Sequence, residues 1–175
     1  MYYYISYHCF IPNRFGMDYR LLSEFLLIRG SIALIQVIYG KKGTGKTKHI
    51  IDMANAAIKE ATGSIVFIHV NKDYMYELER DVRFIDSTEY RVKGPKMLSG
   101  FVAGLAAQDY DLEYIFVDGF MRMIGEHTLE SLESLFLALD SFASDFGITI
   151  VISVSDPSEN APEFLKPYII WHGNC

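Results

Sequence analysis

The sequence predicts an α/β domain, a three-layer sandwich around a mostly parallel five-stranded sheet, and three observations carry that expectation. Short apolar runs rich in Ile and Val recur along the chain. Stretches of helical period separate them, the alternation that parallel strands joined by crossover helices require. A glycine-rich loop, GKKGTGKT at 40–47, joins the first such run to the first such helix.

Residues 35–39, IQVIY, form a continuous run of the kind buried on both faces of a parallel sheet. Residues 46–60 place Ile50, Ile51, Met53, Ala54, Ala57 and Ile58 at helical spacing until Thr62 and Gly63 end the pattern. SIVFIHV at 64–70 reads as a second strand, 81–92 as irregular or hairpin material, and the small residues of 97–108 suit a helix packed closely on the sheet. EYIFVD at 113–118 is a third strand closed by a carboxylate. Along 128–146 Leu129, Leu132, Leu135, Phe136, Leu139, Phe142, Ala143 and Phe146 share one stripe, with Thr128 as the expected N-cap and Gly147 as the stop. ITIVISV at 148–154 and YIIW at 168–171 complete the five strands. Residues 1–33 do not share this rhythm: tyrosines and Pro12 precede a short helical stretch at 18–28 whose apolar face needs a partner. They read as an N-terminal extension to a domain at 34–175, and an alternative reading places the native start near Leu34.

A chain of 175 residues suits one domain with an appendage and can bury about two-thirds of its unfolded surface. Half of it is hydrophobic and 22% charged, which excludes the disordered class. A net charge of −6 repels polyanions, so nucleic acid is an unfavoured partner and any basic cluster must act locally. Cys9 and Cys175 make neither a disulfide framework nor a metal spacing, and a reducing cytoplasm is the expected compartment. The most apolar early window, 21–39, is broken by Glu24, Arg29, Gly30 and Gln36, so no membrane span is expected. The first ten residues lack the basic start and cleavage site of a signal peptide.

Gly40, Lys41, Lys42, Gly43, Thr44, Gly45, Lys46 and Thr47 match the pattern GxxxxGK[ST] in full. Glycines allow positive φ and close backbone approach, so consecutive N–H groups can form a nest for a phosphate at the positive end of the following helix. Lys46 would reach the β- and γ-oxygens of a nucleoside triphosphate, and the Thr47 hydroxyl would ligate Mg²⁺. With Lys41, Lys42 and Lys46, Lys48 completes a basic patch better suited to a triphosphate than to a nucleic acid. Asp118, closing its apolar strand, is the expected second contact to the metal; Asp86 in RFID is the competing candidate.

These segments resemble the Walker A and Walker B motifs of the P-loop NTPase superfamily, over about residues 34–172. Within it the strand order resembles the RecA-like, additional-strand branch, where the strand after Walker B ends in a polar sensor; that implies such a role for Ser153 or Ser155. The chain also resembles small bacterial proteins labelled after the twitching-motility ATPase, although that enzyme's acidic and histidine boxes have no counterpart here. The resemblance implies ATP and Mg²⁺ as ligands and Lys46 and Asp118 as catalytic residues. Neither an adenine-reading motif nor the NKxD of GTPases is present, since 71–73 is only NKD, and ATP is the expected nucleotide.

Hydrolysis needs a group that polarises the attacking water. The resemblance places a glutamate directly after the Walker B aspartate, yet Gly119 stands there. His69, Asn71, Asp73, Glu77 and Glu126 are the substitutes within reach of strand ends, with Glu77 carried forward as a catalytic candidate; Arg80, Arg83, Arg91 and Arg122 are candidates for the cation that meets transition-state charge. His127 and His172 lack metal-ligand spacing. The expected function is a slow Mg²⁺-dependent ATPase, with a nucleoside or small-molecule kinase and a non-catalytic nucleotide switch or assembly module as alternatives. A homo-oligomer or a protein partner is compatible with each.

Overall fold

Residues 34–125, 127–158 and 160–173 are described by the computed structural model. Their strands are β1 (Ile35–Gly40), β2 (Ser64–His69), β3 (Val82–Asp86), β4 (Leu112–Val117), β5 (Thr149–Ser155) and β6 (Ile169–Gly173). Interleaved with them are the helices α1 (Lys46–Ala57), α2 (Pro95–Gln108), α3 (Phe120–Ile124) and α4 (Glu133–Phe146). All six strands run parallel in the order β3-β2-β4-β5-β1-β6. Among the described residues no helix is long and apolar enough to cross a membrane. The expected helical stretch at 18–28, both cysteines and Glu126 lie outside the described residues.

The sheet has six strands rather than five, because β3 forms where irregular or hairpin chain was expected. VRFID alternates as an edge strand should: Val82 and Ile85 are buried while Arg83 is exposed and donates to Gln108 Oε1 at 2.9 Å. Its charges hide it from a search for continuous apolar runs, and pairing with β2 on one side only lets the charges stay in water. Residues 70–81 supply the crossover, with one 3₁₀ turn at Met75–Glu77 in place of a helix.

Alternation along the strands divides the core in two. Ile35, Val37, Ile68, Ile115, Val117, Ile150 and Ile152 pack with α2, α3 and α4. The intervening Ile38, Phe67, Phe116 and Val151 pack with Ile50, Ile51 and Ala54 of α1. One helix therefore covers one face and three cover the other, the arrangement that buries a parallel sheet on both sides. On the three-helix side Phe136 of α4 is fully buried, with Phe120 edge-on at 5.7 Å and Phe164 at 5.8 Å. The last long helix begins later than its apolar stripe suggests: Leu129–Leu132 is a 3₁₀ turn, and the Thr128 side chain makes no capping bond. Gly147 ends that helix in the left-handed conformation, as the sequence indicates.

Candidate functional site

Register across the sheet sets one row of polar side chains at the carboxyl ends of the strands. Ile68 pairs with Val117 and Val117 with Ile152, so the next residues, His69, Asp118 and Ser153, stand side by side on the face covered by α1. Asp86 continues the row opposite His69. All four are buried, at 9, 0, 3 and 3% exposure from Asp86 to Ser153. A polar row in such a setting must satisfy its own hydrogen bonds.

The glycine loop rises beside this row at the end of β1. Gly43 and Gly45 hold φ of +87° and +85°, values that only glycine adopts without strain, and Gly45 caps α1 directly. The first helical bond, His49 N–H to the Gly45 carbonyl at 3.0 Å, leaves the N–H groups of the preceding turn without intrahelical partners, and no acidic residue neutralises that turn. Lys46 is 5% exposed, its Nζ donating to the carbonyls of Gly40 at 2.8 Å and Lys41 at 2.5 Å. The Thr44 hydroxyl donates to the Lys41 carbonyl at 2.9 Å. Burial lowers the Lys46 pKa, opposed by the Asp118 carboxylate.

Asp118 is the pivot of the row. Burial works to raise its pKa, but the neighbouring His69 imidazole, the Ser153 hydroxyl and the Thr47 hydroxyl outweigh it, and the net shift is downward. Its Oδ1 accepts the Ser153 hydroxyl. The His69 Nε2 lies 3.3 Å from Oδ2 without good alignment, so that buried oxygen has no well-formed hydrogen bond. A carboxylate held ionised, with one oxygen fixed by Ser153 and the other without a hydrogen-bond partner, is suited to accept a cation. Among the described residues no group of three or more His, Cys, Asp or Glu side chains could hold a metal unaided, so a cation here needs ligands from water or substrate.

A cavity of about 770 Å³ joins these parts. Its wall includes Lys42, Gly43, Gly45, Lys46, Thr47 and Lys48 from the loop and α1, and Asp118, Ser153 and Ser155 from β4 and β5. Gly40, Lys41 and Thr44 do not line it, and they join the loop to Lys46 through the Lys46 and Thr44 bonds. Glu77 lines the rim, exposed, its carbonyl accepting from Asn55 of α1 at 2.9 Å. Of the arginines singled out from the sequence, Arg122 lines the cavity, while Arg80, Arg83 and Arg91 do not. Asn71 and Asp73 bond to each other in a local turn at 2.5 Å, and His172 packs edge-on against Tyr39 at 5.7 Å. Asp86 does not reach the cavity: its Oδ1 accepts from the backbone and the hydroxyl of Thr88, at 2.9 and 2.6 Å.

No family model and no curated protein matches this sequence.

Two contacts escaped sequence reading. His69 was nameable as a strand-end residue but not as a neighbour of Asp118, because register, not spacing, brings them together. Arg122 was nameable as a cation but not as a partner of His69, whose Nε2 lies 3.3 Å from its Nη2.

Proposed function

We propose that this chain is a Mg²⁺-dependent ATP-binding protein of the P-loop NTPase type that hydrolyses ATP slowly. The observation that carries the reading is the meeting of Lys46 and Thr47, from the loop after β1, with Asp118, from the end of β4, in one cavity. The strand order supports it as well, since β5 lies between β1 and β4, the arrangement that the additional-strand, RecA-like resemblance implies.

On this reading the loop N–H groups cradle the β-phosphate and Lys46 neutralises the β- and γ-oxygens. Thr47 and Asp118 would hold Mg²⁺, whose chemistry is to draw charge from the phosphates as the terminal bond breaks. The unpartnered oxygen of Asp118 and its lowered pKa fit that role. Ser153, which donates to Asp118, orients the carboxylate, and Ser155 is the hydroxyl free to meet a phosphate. Besides Asp118 the cavity wall carries the carboxylates of Asp52 and Glu77, and Glu77 is the candidate for the water-activating base.

Titration calorimetry with MgATP tests the site. Lys46→Ala should weaken binding about tenfold or more, the cost of a lost charge-assisted bond, with the fold intact. Asp118→Asn should spare nucleotide binding more than Mg²⁺-dependent turnover. If neither change alters affinity or turnover, the assignment is wrong. Labelled ATP then sorts the reaction: label released to water means hydrolase, and label in an acceptor means kinase. A second reading, a nucleotide switch that binds without turnover, is favoured by one specific observation, the absence of any side chain at Gly119 directly after Asp118.

A further inference from the structure

Gly119 opens a space that another residue fills. Its φ is +73°, and a Cβ built on it would lie 3.2 Å from Arg122 Nη2, 3.5 Å from Nε and 3.2 Å from Val70 Cγ2. The Arg122 guanidinium therefore lies across the bare Cα next to Asp118, on the ground from which a carboxylate at position 119 would project. Among the described residues no carboxylate pairs with Arg122; its partner is His69, with Nη2 at 3.3 Å from Nε2. It lines the same cavity as Lys46 and Thr47.

His69 cannot serve both its neighbours at once. A neutral imidazole carries a single N–H. With the proton on Nδ1 the ring donates to the Asn71 carbonyl at 3.1 Å and accepts from Arg122, leaving its lone pair facing Asp118 Oδ2. With the proton on Nε2 it can reach Asp118, accepts from Asn71 N–H at 3.2 Å, and turns that proton toward the Arg122 cation. In both neutral tautomers one contact is unfavourable. An anion placed against Arg122 removes the conflict by giving the guanidinium a better acceptor than the imidazole.

We propose that Arg122 is the specificity-determining residue that distinguishes ATP from ADP, by contacting the γ-phosphate. This rests on the nucleotide reading above. Asp118 and Thr47 would hold the metal and Lys46 the phosphates in the cavity that Arg122 also lines, so the guanidinium folded over Gly119 would be the further cation within reach of a terminal phosphate. Its planar fork matches a phosphate bidentately, which an ammonium cannot do. The position after Asp118 thus carries a cation in place of a water-activating carboxylate, a design that favours recognition of the third phosphate over its removal.

Calorimetric titrations of the full chain with MgATP and MgADP, each checked by a thermal melt, test this. Arg122→Ala should lower ATP affinity about ten- to a hundredfold, the loss of one charge-assisted contact, and leave ADP affinity within about twofold. Arg122→Lys should retain part of the preference, because it keeps the charge and loses the fork; it also supplies the ratio should the alanine variant melt early. An unchanged ATP-to-ADP ratio in a folded variant, or an equal loss for both nucleotides, overturns the assignment of Arg122 alone. A wild-type chain that binds neither nucleotide overturns the nucleotide reading with it.

Discussion

Asp86 and Asp118 close neighbouring parts of the same sheet in nearly the same words, RFID and IFVD, and they flank one histidine in one row. Their fates differ. Asp86, on the edge strand, is followed two residues later by Thr88, whose N–H and hydroxyl both bond to it, so its carboxylate ties a turn. Asp118, on an interior strand, is followed by a left-handed glycine, lines the cavity and keeps Oδ2 buried without a hydrogen-bond partner. Both carboxyls are held below their usual pKa. Hydrogen bonds from Thr88 are the first cause at Asp86, whereas at Asp118 burial opposes the shift and is outweighed by His69, Ser153 and Thr47. The residues that follow a strand-ending aspartate thus decide whether its carboxylate is tied into a turn.

The sharpest way to break this contrast is to remove each carboxylate in turn and compare nucleotide affinity with Mg²⁺ and with a chelator. Asp118→Ala should erase the benefit of Mg²⁺, about tenfold or more by the worth of a charged contact, while Asp86→Ala keeps it. Loss in both variants would dissolve the distinction.

A smaller effect is expected at the glycine that separates the two cases. Gly119→Ala imposes a left-handed φ on a residue with a Cβ, at about 1–2 kcal/mol, and should lower the melting temperature by about 2–8 °C. It also pushes against the Arg122 guanidinium, so the ATP-to-ADP affinity ratio should fall in the same variant. A melt unchanged within a degree would show that the turn does not depend on glycine.

The smallest effect belongs to Asp86. Its folded pKa lies below the unfolded value, so its contribution is complete above that unfolded value and fades as the pH falls through the lowered one. Asp86→Ala should cost about 1 kcal/mol in urea unfolding at neutral pH, the net worth of a hydrogen bond, and the gap from wild type should close below about pH 4. A gap that persists in acid would assign the loss to packing.

Much of the arrangement could be read from the sequence because it rests on local chemistry. A buried-type strand, glycines able to take positive φ and an amphipathic helix follow each other without a break, so the loop from Gly40 to Thr47 stands where the pattern puts it. Asp118 was legible as a strand end for the same reason. β3 was not, since an edge strand keeps charges that interior strands exclude, and Arg83 disguised it. The contacts of His69 with Asp118 and Arg122 depend on how three strands align and on one backbone angle at Gly119, neither of which leaves a periodic trace.

If the loop binds a nucleotide as proposed, the bonds from Lys46 to the carbonyls of Gly40 and Lys41 have a consequence for affinity. A loop whose curvature is fixed by the protein's own ammonium loses its backbone freedom during folding, so a ligand arriving later finds the N–H groups already aimed and surrenders little additional entropy. On that reading Lys46 is a scaffold as well as a charge: without it the loop would be less ordered before its ligand arrives, and binding would be weaker.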